Sequence, residues 1–154
     1  LQAALKVASL RGLPRYDVLQ PEYNLYDRAG FEGSLRDLCM AEGLGVITYY
    51  SLAMGFLSGK YRSEADLGKS VRGEAIRGYL DQRGLAILSA LDEVAARHSA
   101  KPAEVALAWL IARPGVTAPI ASATSVEQTD SLIRAATLTL DAADIKQLND
   151  ASAL

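Results

Sequence analysis

Cysteine and long apolar runs are scarce in this sequence, and neither sign of charge dominates it. The only cysteine, Cys39, cannot form a disulfide within the chain, and its Ala- and Leu-rich helical surroundings favour a buried, unreactive thiol. Apolar runs such as Val105–Ala112 are far too short to span a membrane. The 16 Lys and Arg residues and the 18 Asp and Glu residues are interspersed, without the basic stripe of a nucleic-acid-binding surface.

The scarcity of these features excludes several classes of partner and favours one cellular location. We expect no nucleic-acid partner, no membrane span and no metal site. The single cysteine and the lack of a secretory leader favour a reducing, cytoplasmic location. Half of the 154 residues are hydrophobic and 22% are charged, which is ordinary for one globular domain with a sizeable core.

The chain opens inside a helical pattern. Apolar residues at positions 1, 4, 5 and 8 share one face of a helix over Leu1–Leu10, which Gly12 and Pro14 bring to an end. No Ser, Thr, Asp or Asn stands before it as a cap. We therefore expect that a segment preceding Leu1 has been lost.

Strand and helix patterns alternate along the rest of the chain. Strands are predicted at Tyr16–Gln20, Gly45–Tyr50 and Val116–Ile120, and each is followed by a helical pattern, which is typical of parallel β/α units. Between the second strand and its helix, Ser51–Arg77 is predicted to be a long irregular loop that is functional or mobile. A small three-stranded doubly wound sheet is one fold that fits this order. The helices after the first are predicted at Phe31–Glu42, at about Gly84–His98, from Pro102 through Leu110 before a break at Pro114-Gly115, at Val126–Ala136 and from Asp141 to about Ala151.

Three segments carry a more specific signal, and together they resemble the aldo-keto reductase family. They are Gln20–Arg28 (QPEYNLYDR), Thr48–Arg62 (TYYSLAMGFLSGKYR) and Ala118–Gln128 (APIASATSVEQ), which are similar to the family's sixth, seventh and eighth strand segments. The resemblance implies an α/β fold, the C-terminal portion of a TIM (β/α)8 barrel, with about three β/α units plus a C-terminal helix. Residues 1–154 would then be the C-terminal part of a single domain whose N-terminal half is absent.

The residues at the strand ends suit a nicotinamide cofactor. Gln20 ends the first strand, and its amide can both donate to and accept from a carboxamide. Tyr50 ends the second strand, where its ring could stack on nicotinamide, whereas Tyr49 would point into the core. The resemblance implies that the cofactor is NADPH and that both Gln20 and Tyr50 bind it.

The segment after Tyr50 has the chemistry of a pyrophosphate cradle. It offers hydroxyl groups, backbone amides near Gly55 and Gly59, and one cation. By resemblance, its first residues contact the cofactor backbone and its lysine pairs with the phosphates, with an arginine farther along as a further candidate. These residues are Ser51, Leu52, Ala53, Lys60 and Arg72.

A second anion site is predicted where the third strand leads into a helix. Ser125 is placed to cap that helix, whose unpaired first amides favour an anion. By resemblance, Ser122, Thr124 and Gln128 grip the 2′-phosphate end of NADPH. The sequence departs from many relatives here, with Ser122 in place of Gly and Ser131-Leu132 in place of a Glu-Asn pair.

No catalytic residue is predicted in this chain. The family uses an Asp, a Tyr, a Lys and a His from the first half of the barrel, and the corresponding segments are not found here. The only histidine, His98, is predicted to lie at the surface or in the last turn of a helix. Tyr23, Tyr26 and Tyr61 lack a matching Lys and Asp context.

The resemblance implies a fragment of an NADPH-dependent oxidoreductase that reduces aldehydes or ketones to alcohols. Two alternatives stay open: a non-catalytic nucleotide-binding or regulatory protein on the same fold, and an inactive truncated product. In each case the chain is expected to need its N-terminal half or to self-associate, because a sheet of three strands leaves edges and one face uncovered.

Overall fold

Three short parallel strands form the sheet in the computed structural model, which describes residues 1–69 and 73–153. β1 is Val18–Leu19, β2 is Gly45–Thr48 and β3 is Ala118–Pro119, and they lie side by side in the order β1-β2-β3. This confirms the predicted α/β arrangement with parallel strands. The helices are α1 (Gln2–Arg11), α2 (Ser34–Ala41), α3 (Gly73–Ile76), α4 (Gln82–Arg97), α5 (Pro102–Ile111), α6 (Val126–Thr137) and α7 (Ala142–Ala151).

The strands are shorter than predicted, although their pairing continues beyond them. An isolated bridge between Glu22 and Tyr49 keeps the register in which Val18 pairs with Gly45. The regular ladder stops earlier because Pro21 has no backbone N–H to donate, and it takes part only through its carbonyl, which accepts from the Tyr49 amide at 3.0 Å.

One face of the sheet is buried and the other is open. Val46 and Thr48 point to the buried face, where Val46 joins a hydrophobic core formed mainly by helices. Val18, Tyr49 and Ile120 alternate to the opposite face and keep 51%, 37% and 42% of their surface exposed. The prediction that Tyr49 packs in the core was therefore wrong, since the register of β2 directs it away from the helices.

Side-chain caps mark the starts of α6 and α7, at the predicted cap Ser125 and at Asp141, where the last helix was predicted to start. The Ser125 hydroxyl accepts from the Gln128 amide at the start of α6, and Asp141 does the same for Asp144 at the start of α7. Pro102 opens α5 as predicted. α2 begins only at Ser34, later than predicted, because Gly33 before it has a φ of 88°, which is outside the helical region.

The segment from Ser51 to Arg77 is more ordered than the sequence predicted. Its described residues form 3-10 turns over Ala53–Ser58, where Met54 and Gly55 interrupt the turn with left-handed backbone, and over Glu64–Lys69, followed by α3. The backbone is irregular at Met54 and Gly55, as predicted, but the rest of the described segment forms short helical turns whose apolar side chains enter the core. The buried ones are Ala53, Phe56, Leu57, Tyr61, Leu67 and Ile76.

The thiol of Cys39 is buried, as predicted, and burial raises its pKa.

Among the described residues, no helix is both long and apolar enough to cross a bilayer.

Candidate functional site

The carboxyl ends of the three strands meet at one edge of the sheet because the strands are parallel. Gln20 directly follows β1, Tyr50 lies just after β2, and Ser122 lies just after β3; all three are exposed. The backbones stay joined up to this edge, since the Ile120 amide donates to the Thr48 carbonyl at 2.8 Å. The structure therefore brings the three predicted segments together at one solvent-exposed edge.

The backbone after β2, Tyr50–Lys60, is unusual; we call it the β2 loop. Tyr50, Ala53 and Met54 have φ values of 52°, 47° and 55°, and Gly55 follows with 98°. Left-handed backbone is uncommon for residues other than glycine and is kept only where the surroundings enforce it, often at functional sites. Within the loop, the Ala53 amide donates to the Tyr50 carbonyl at 2.7 Å and the Gly55 amide donates to the Leu52 carbonyl at 2.8 Å.

Buried anchors hold the β2 loop in this shape. The Ser51 hydroxyl is buried and donates to the Thr48 carbonyl at 3.2 Å, and the Ala53 amide donates to the Tyr50 carbonyl at 2.7 Å. Phe56 is fully buried, and its ring stacks on Tyr79 with 5.3 Å between centroids. Ser51 and Ala53 therefore direct their side chains into the protein, while Leu52 is half-buried.

Lys60 lies over the middle of the β2 loop. A Cβ atom placed on Gly55 would stand 3.4 Å from Lys60 Cε and 3.5 Å from its Nζ. The same ammonium lies 4.9 Å from the centre of the Tyr61 ring. Because Gly55 has no side chain, the cation approaches the loop backbone closely, and Lys60 itself remains exposed to solvent.

The start of α6 forms the third part of the edge. Gln128 Oε1 accepts from the Thr124 amide at 2.8 Å and from its hydroxyl at 3.1 Å, while Ser125 caps the helix. The two predicted phosphate ligands Thr124 and Gln128 thus contact each other, and both are exposed. Ser131, farther along α6, donates instead to Glu104 on α5 at 2.6 Å and so ties the two helices together.

Other tyrosine and histidine side chains are engaged away from this edge. The Tyr23 hydroxyl donates to Glu32 at 2.6 Å and accepts from Arg113 at 3.2 Å, and burial, followed by the bond to Glu32, raises its pKa. His98 follows the last turn of α4, as predicted, and its Nε2 lies 2.6 Å from Asp144 Oδ2. The predicted phosphate ligand Arg72 lies outside the described residues.

Asn24, which the sequence patterns did not single out, is bonded to the site in the structure. Its buried amide nitrogen donates to the Tyr50 carbonyl at 3.0 Å and to Asp27 Oδ2 at 2.9 Å. Its oxygen accepts from the backbone amides of Tyr26 and Asp27. The available signal was the Asn-x-x-Asp spacing after a strand, which is common in turns and is not specific.

A groove of about 480 Å³ lies between α1 and α2, apart from the predicted site residues; Leu1, Leu35 and Leu38 are among its lining side chains. Over residues 1–69 and 73–153, no three His, Cys, Asp or Glu side chains are grouped as a metal site would require.

Parallel β/α units with a polar edge at the strand carboxyl ends define a class of ligand-binding barrels and open sheets. The sequence model of the aldo/keto reductase family matches residues 2–153, so the chain belongs to that family.

Several bacterial proteins are similar to this chain. An uncharacterized oxidoreductase of Mycobacterium tuberculosis is 42% identical over 108 residues, which cover 70% of this chain and 33% of that protein. The uncharacterized oxidoreductase YrpG of Bacillus subtilis is 35% identical over 135 residues, covering 85% and 39%. The L-glyceraldehyde 3-phosphate reductase of Escherichia coli is 31% identical over 137 residues, covering 84% and 40%. The chain thus spans well under half the length of these relatives.

Proposed function

We propose that this chain is the cofactor-binding part of an NADPH-dependent oxidoreductase that reduces aldehydes or ketones to alcohols. The observation that carries the proposal is the β2 loop, where a run of left-handed backbone lies beside Lys60 at the carboxyl edge of the sheet. A backbone cradle with one cation matches the needs of a pyrophosphate. The relative named L-glyceraldehyde 3-phosphate reductase supports a carbonyl substrate, because its name describes the reduction of an aldehyde.

The residues at this edge can be assigned to the carboxamide, the nicotinamide ring and the phosphates of a dinucleotide. Gln20 would bind the carboxamide and Tyr50 would stack on the nicotinamide, which supplies the hydride when bound. Ser51 and Ala53 are buried, so they would contact the cofactor through backbone groups, as would Leu52. Lys60 and Arg72 would pair with the phosphates. The 2′-phosphate would lie at the start of α6, with Ser122, Thr124 and Gln128 as its ligands.

The proton donor is proposed to lie outside this chain. Tyr23 is bonded to Glu32 and Arg113, and His98 is bonded to Asp144, so these groups are occupied in structural contacts. We therefore assign no catalytic residue here and propose that the tyrosine, lysine, aspartate and histidine of the family's tetrad belong to an N-terminal half of the same barrel.

The open face of the sheet fits the same proposal. Val18, Tyr49 and Ile120 would face the interior of a closed barrel, where further β/α units would cover them and pair with the edges of β1 and β3. Without those units, the chain is proposed to self-associate through this surface. The buried thiol of Cys39 is compatible with the proposed cytoplasmic location.

A fluorescence titration with NADPH tests the proposed function directly. The chain is expected to bind NADPH saturably, and Lys60→Met is expected to weaken binding about tenfold, since a charge-assisted contact to phosphate is lost. Lys6→Met serves as the matched control, because it removes an exposed lysine of α1 that is not among the predicted phosphate ligands. Absence of saturable binding by the unmodified chain, or equal weakening by both variants, would contradict the proposal.

A further inference from the structure

The Asn24 side chain is buried, and one of its hydrogen bonds reaches the β2 loop. Of its two amide hydrogens, one bonds to the Tyr50 carbonyl and the other to Asp27 Oδ2, at 3.0 Å and 2.9 Å. Its oxygen accepts from two backbone amides, those of Tyr26 and Asp27, at 2.8 Å and 2.9 Å. Every polar atom of this side chain is therefore in use, and any rotation of the amide would break bonds in a place that water does not reach.

Asn24 contacts Tyr50 where the backbone is in the left-handed conformation. Tyr50 is a bulky residue with a φ of 52°, a conformation that costs energy unless the surroundings enforce it. Its carbonyl accepts from both the Asn24 side chain and the Ala53 amide. These two bonds fix the peptide plane after Tyr50, and with it the direction in which the β2 loop leaves the sheet.

Asp27 extends the same network to the far end of the segment between β2 and α4. Its Oδ2 accepts from the Tyr79 hydroxyl at 2.9 Å as well as from Asn24. Tyr79 ends the last 3-10 turn before α4, and its ring stacks on Phe56 of the β2 loop. The beginning and the end of this segment are thus fastened to one short stretch of chain after β1.

We propose that Asn24 and Asp27 form a clasp that holds Tyr50 in its left-handed conformation and thereby positions the β2 loop for its ligand. Asn24 and Asp27 are positioning residues in this scheme, acting through Tyr50 and Tyr79. The ligand named here, NADPH, rests on the proposed function, whereas the effect of the clasp on the loop backbone does not.

Hydrogen exchange and NADPH titration together test the clasp. Asn24→Ala is expected to speed exchange of the Ala53 amide, which donates to Tyr50, by about tenfold beyond any change in the amides of α5. The dissociation constant for NADPH should rise by a similar factor. Tyr79→Phe removes only one hydroxyl and should change both quantities in the same direction by a smaller factor.

Two further variants separate positioning from general stability. Tyr23→Phe deletes a carboxylate-bonded tyrosine hydroxyl outside the clasp, so it should lower the melting temperature and leave Ala53 exchange relative to α5 unchanged. Asp27→Asn keeps an oxygen that can accept from Asn24 and Tyr79, so it should behave almost like the unmodified chain.

The outcomes distinguish this proposal from the proposed function. If the unmodified chain fails to bind NADPH, the proposed function is wrong, and Ala53 exchange still decides whether the clasp exists. If Asn24→Ala does not fold, Tyr79→Phe carries the test. If Tyr79→Phe and any folded Asn24→Ala variant match Tyr23→Phe in relative Ala53 exchange, the clasp is wrong.

Discussion

His98 Nε2 lies 2.6 Å from Asp144 Oδ2, and this contact joins the end of α4 to the first turn of α7. Arg97 contacts the other oxygen of Asp144 at 2.7 Å. The aspartate side chain is only 2% exposed, so burial acts to raise its pKa. The hydrogen bonds from Arg97, His98 and the Asp141 amide outweigh burial and hold the pKa below its ordinary value.

The first prediction concerns the pH dependence of stability. Because the pKa of Asp144 is lower in the folded than in the unfolded chain, its carboxylate stabilises the fold above the unfolded value of about 3.9. This contribution is lost as the pH falls through the folded value. Asp144→Asn should lower the free energy of unfolding by about 1–3 kcal/mol near neutral pH, and the difference from the unmodified chain should shrink as the pH falls below the unfolded value toward the lower folded value.

Asp150→Asn is the matched control for that prediction. Asp150 lies on the same helix and pairs with Lys146, but both side chains are exposed, so its loss should cost about 0.5 kcal/mol or less. Chemical denaturation followed by circular dichroism at several pH values gives the free energy of unfolding of each variant. A difference for Asp144→Asn that stays constant down to low pH would contradict the linkage argument.

The second prediction sets tertiary packing against helix propensity at Gly84. Gly84 lies in the first turn of α4, and a Cβ atom there would stand 1.8 Å from the Tyr79 carbonyl oxygen and 3.0 Å from Phe56 Cζ. Propensity alone favours alanine by about 1 kcal/mol. We expect Gly84→Ala to destabilise the chain by about 2 kcal/mol or more, since backbone must move to accommodate the methyl group.

Gly78→Ala provides the comparison for Gly84. No heavy atom lies within 4 Å of a Cβ atom placed on Gly78, and its φ is not in the left-handed region. This substitution should therefore be neutral or stabilise by about 0.5 kcal/mol. The melting temperatures of the two variants, compared with that of the unmodified chain, test this prediction. A stabilised Gly84→Ala protein would show that the close approach of Tyr79 is absent in solution.

The third prediction concerns the choice between NADPH and NADH. The start of α6 presents exposed Thr124 and Gln128 beside unpaired helix amides, so NADPH should bind about tenfold or more tightly than NADH. Thr124→Ala should reduce that preference, whereas Thr137→Ala, at the other end of the same helix, should leave it unchanged. Equal dissociation constants for the two cofactors in the unmodified chain would rule out a 2′-phosphate site here.

The fourth prediction is self-association of the chain through its open sheet face. At about 25 cal/mol per Å², covering even ~400 Å² of apolar surface would contribute roughly 10 kcal/mol. Sedimentation velocity should show species larger than a monomer. The double variant Val18→Thr with Ile120→Thr should shift them toward monomer, because both exposed side chains become more polar. Leu10→Thr, on exposed α1, is the control. A stable, cooperative monomer would disprove this prediction.

The fifth prediction is that the chain by itself does not reduce carbonyl compounds. Hydride transfer to an aldehyde needs a paired proton donor, and we assign none to this chain. Incubation with NADPH and a generic aldehyde should give no loss of absorbance above the background without protein. An active aldo/keto reductase under the same conditions confirms that the assay works, and measurable turnover by this chain would place the catalytic acid within it.

Local features of this protein could be predicted well. Ser125 as a helix cap, Pro102 at a helix start and the burial of Cys39 depend on neighbouring residues or on one helix face, so sequence patterns predict them. The parallel sheet was predictable because strand and helix patterns alternate. The strand ends were predicted less well, since a regular ladder requires a partner that only the folded chain provides.

Sequence patterns alone predict the order of the β/α units, the Ser125 cap and the segments that reach the carboxyl edge. The folded chain is needed to see that Tyr49 faces away from the helices, that residues such as Phe56 anchor the β2 loop, and that Asn24 bonds to Tyr50. The physical reason is that these features depend on strand register and on left-handed backbone. Both are enforced by contacts between residues far apart in the chain, as in the bond between Asn24 and Tyr50.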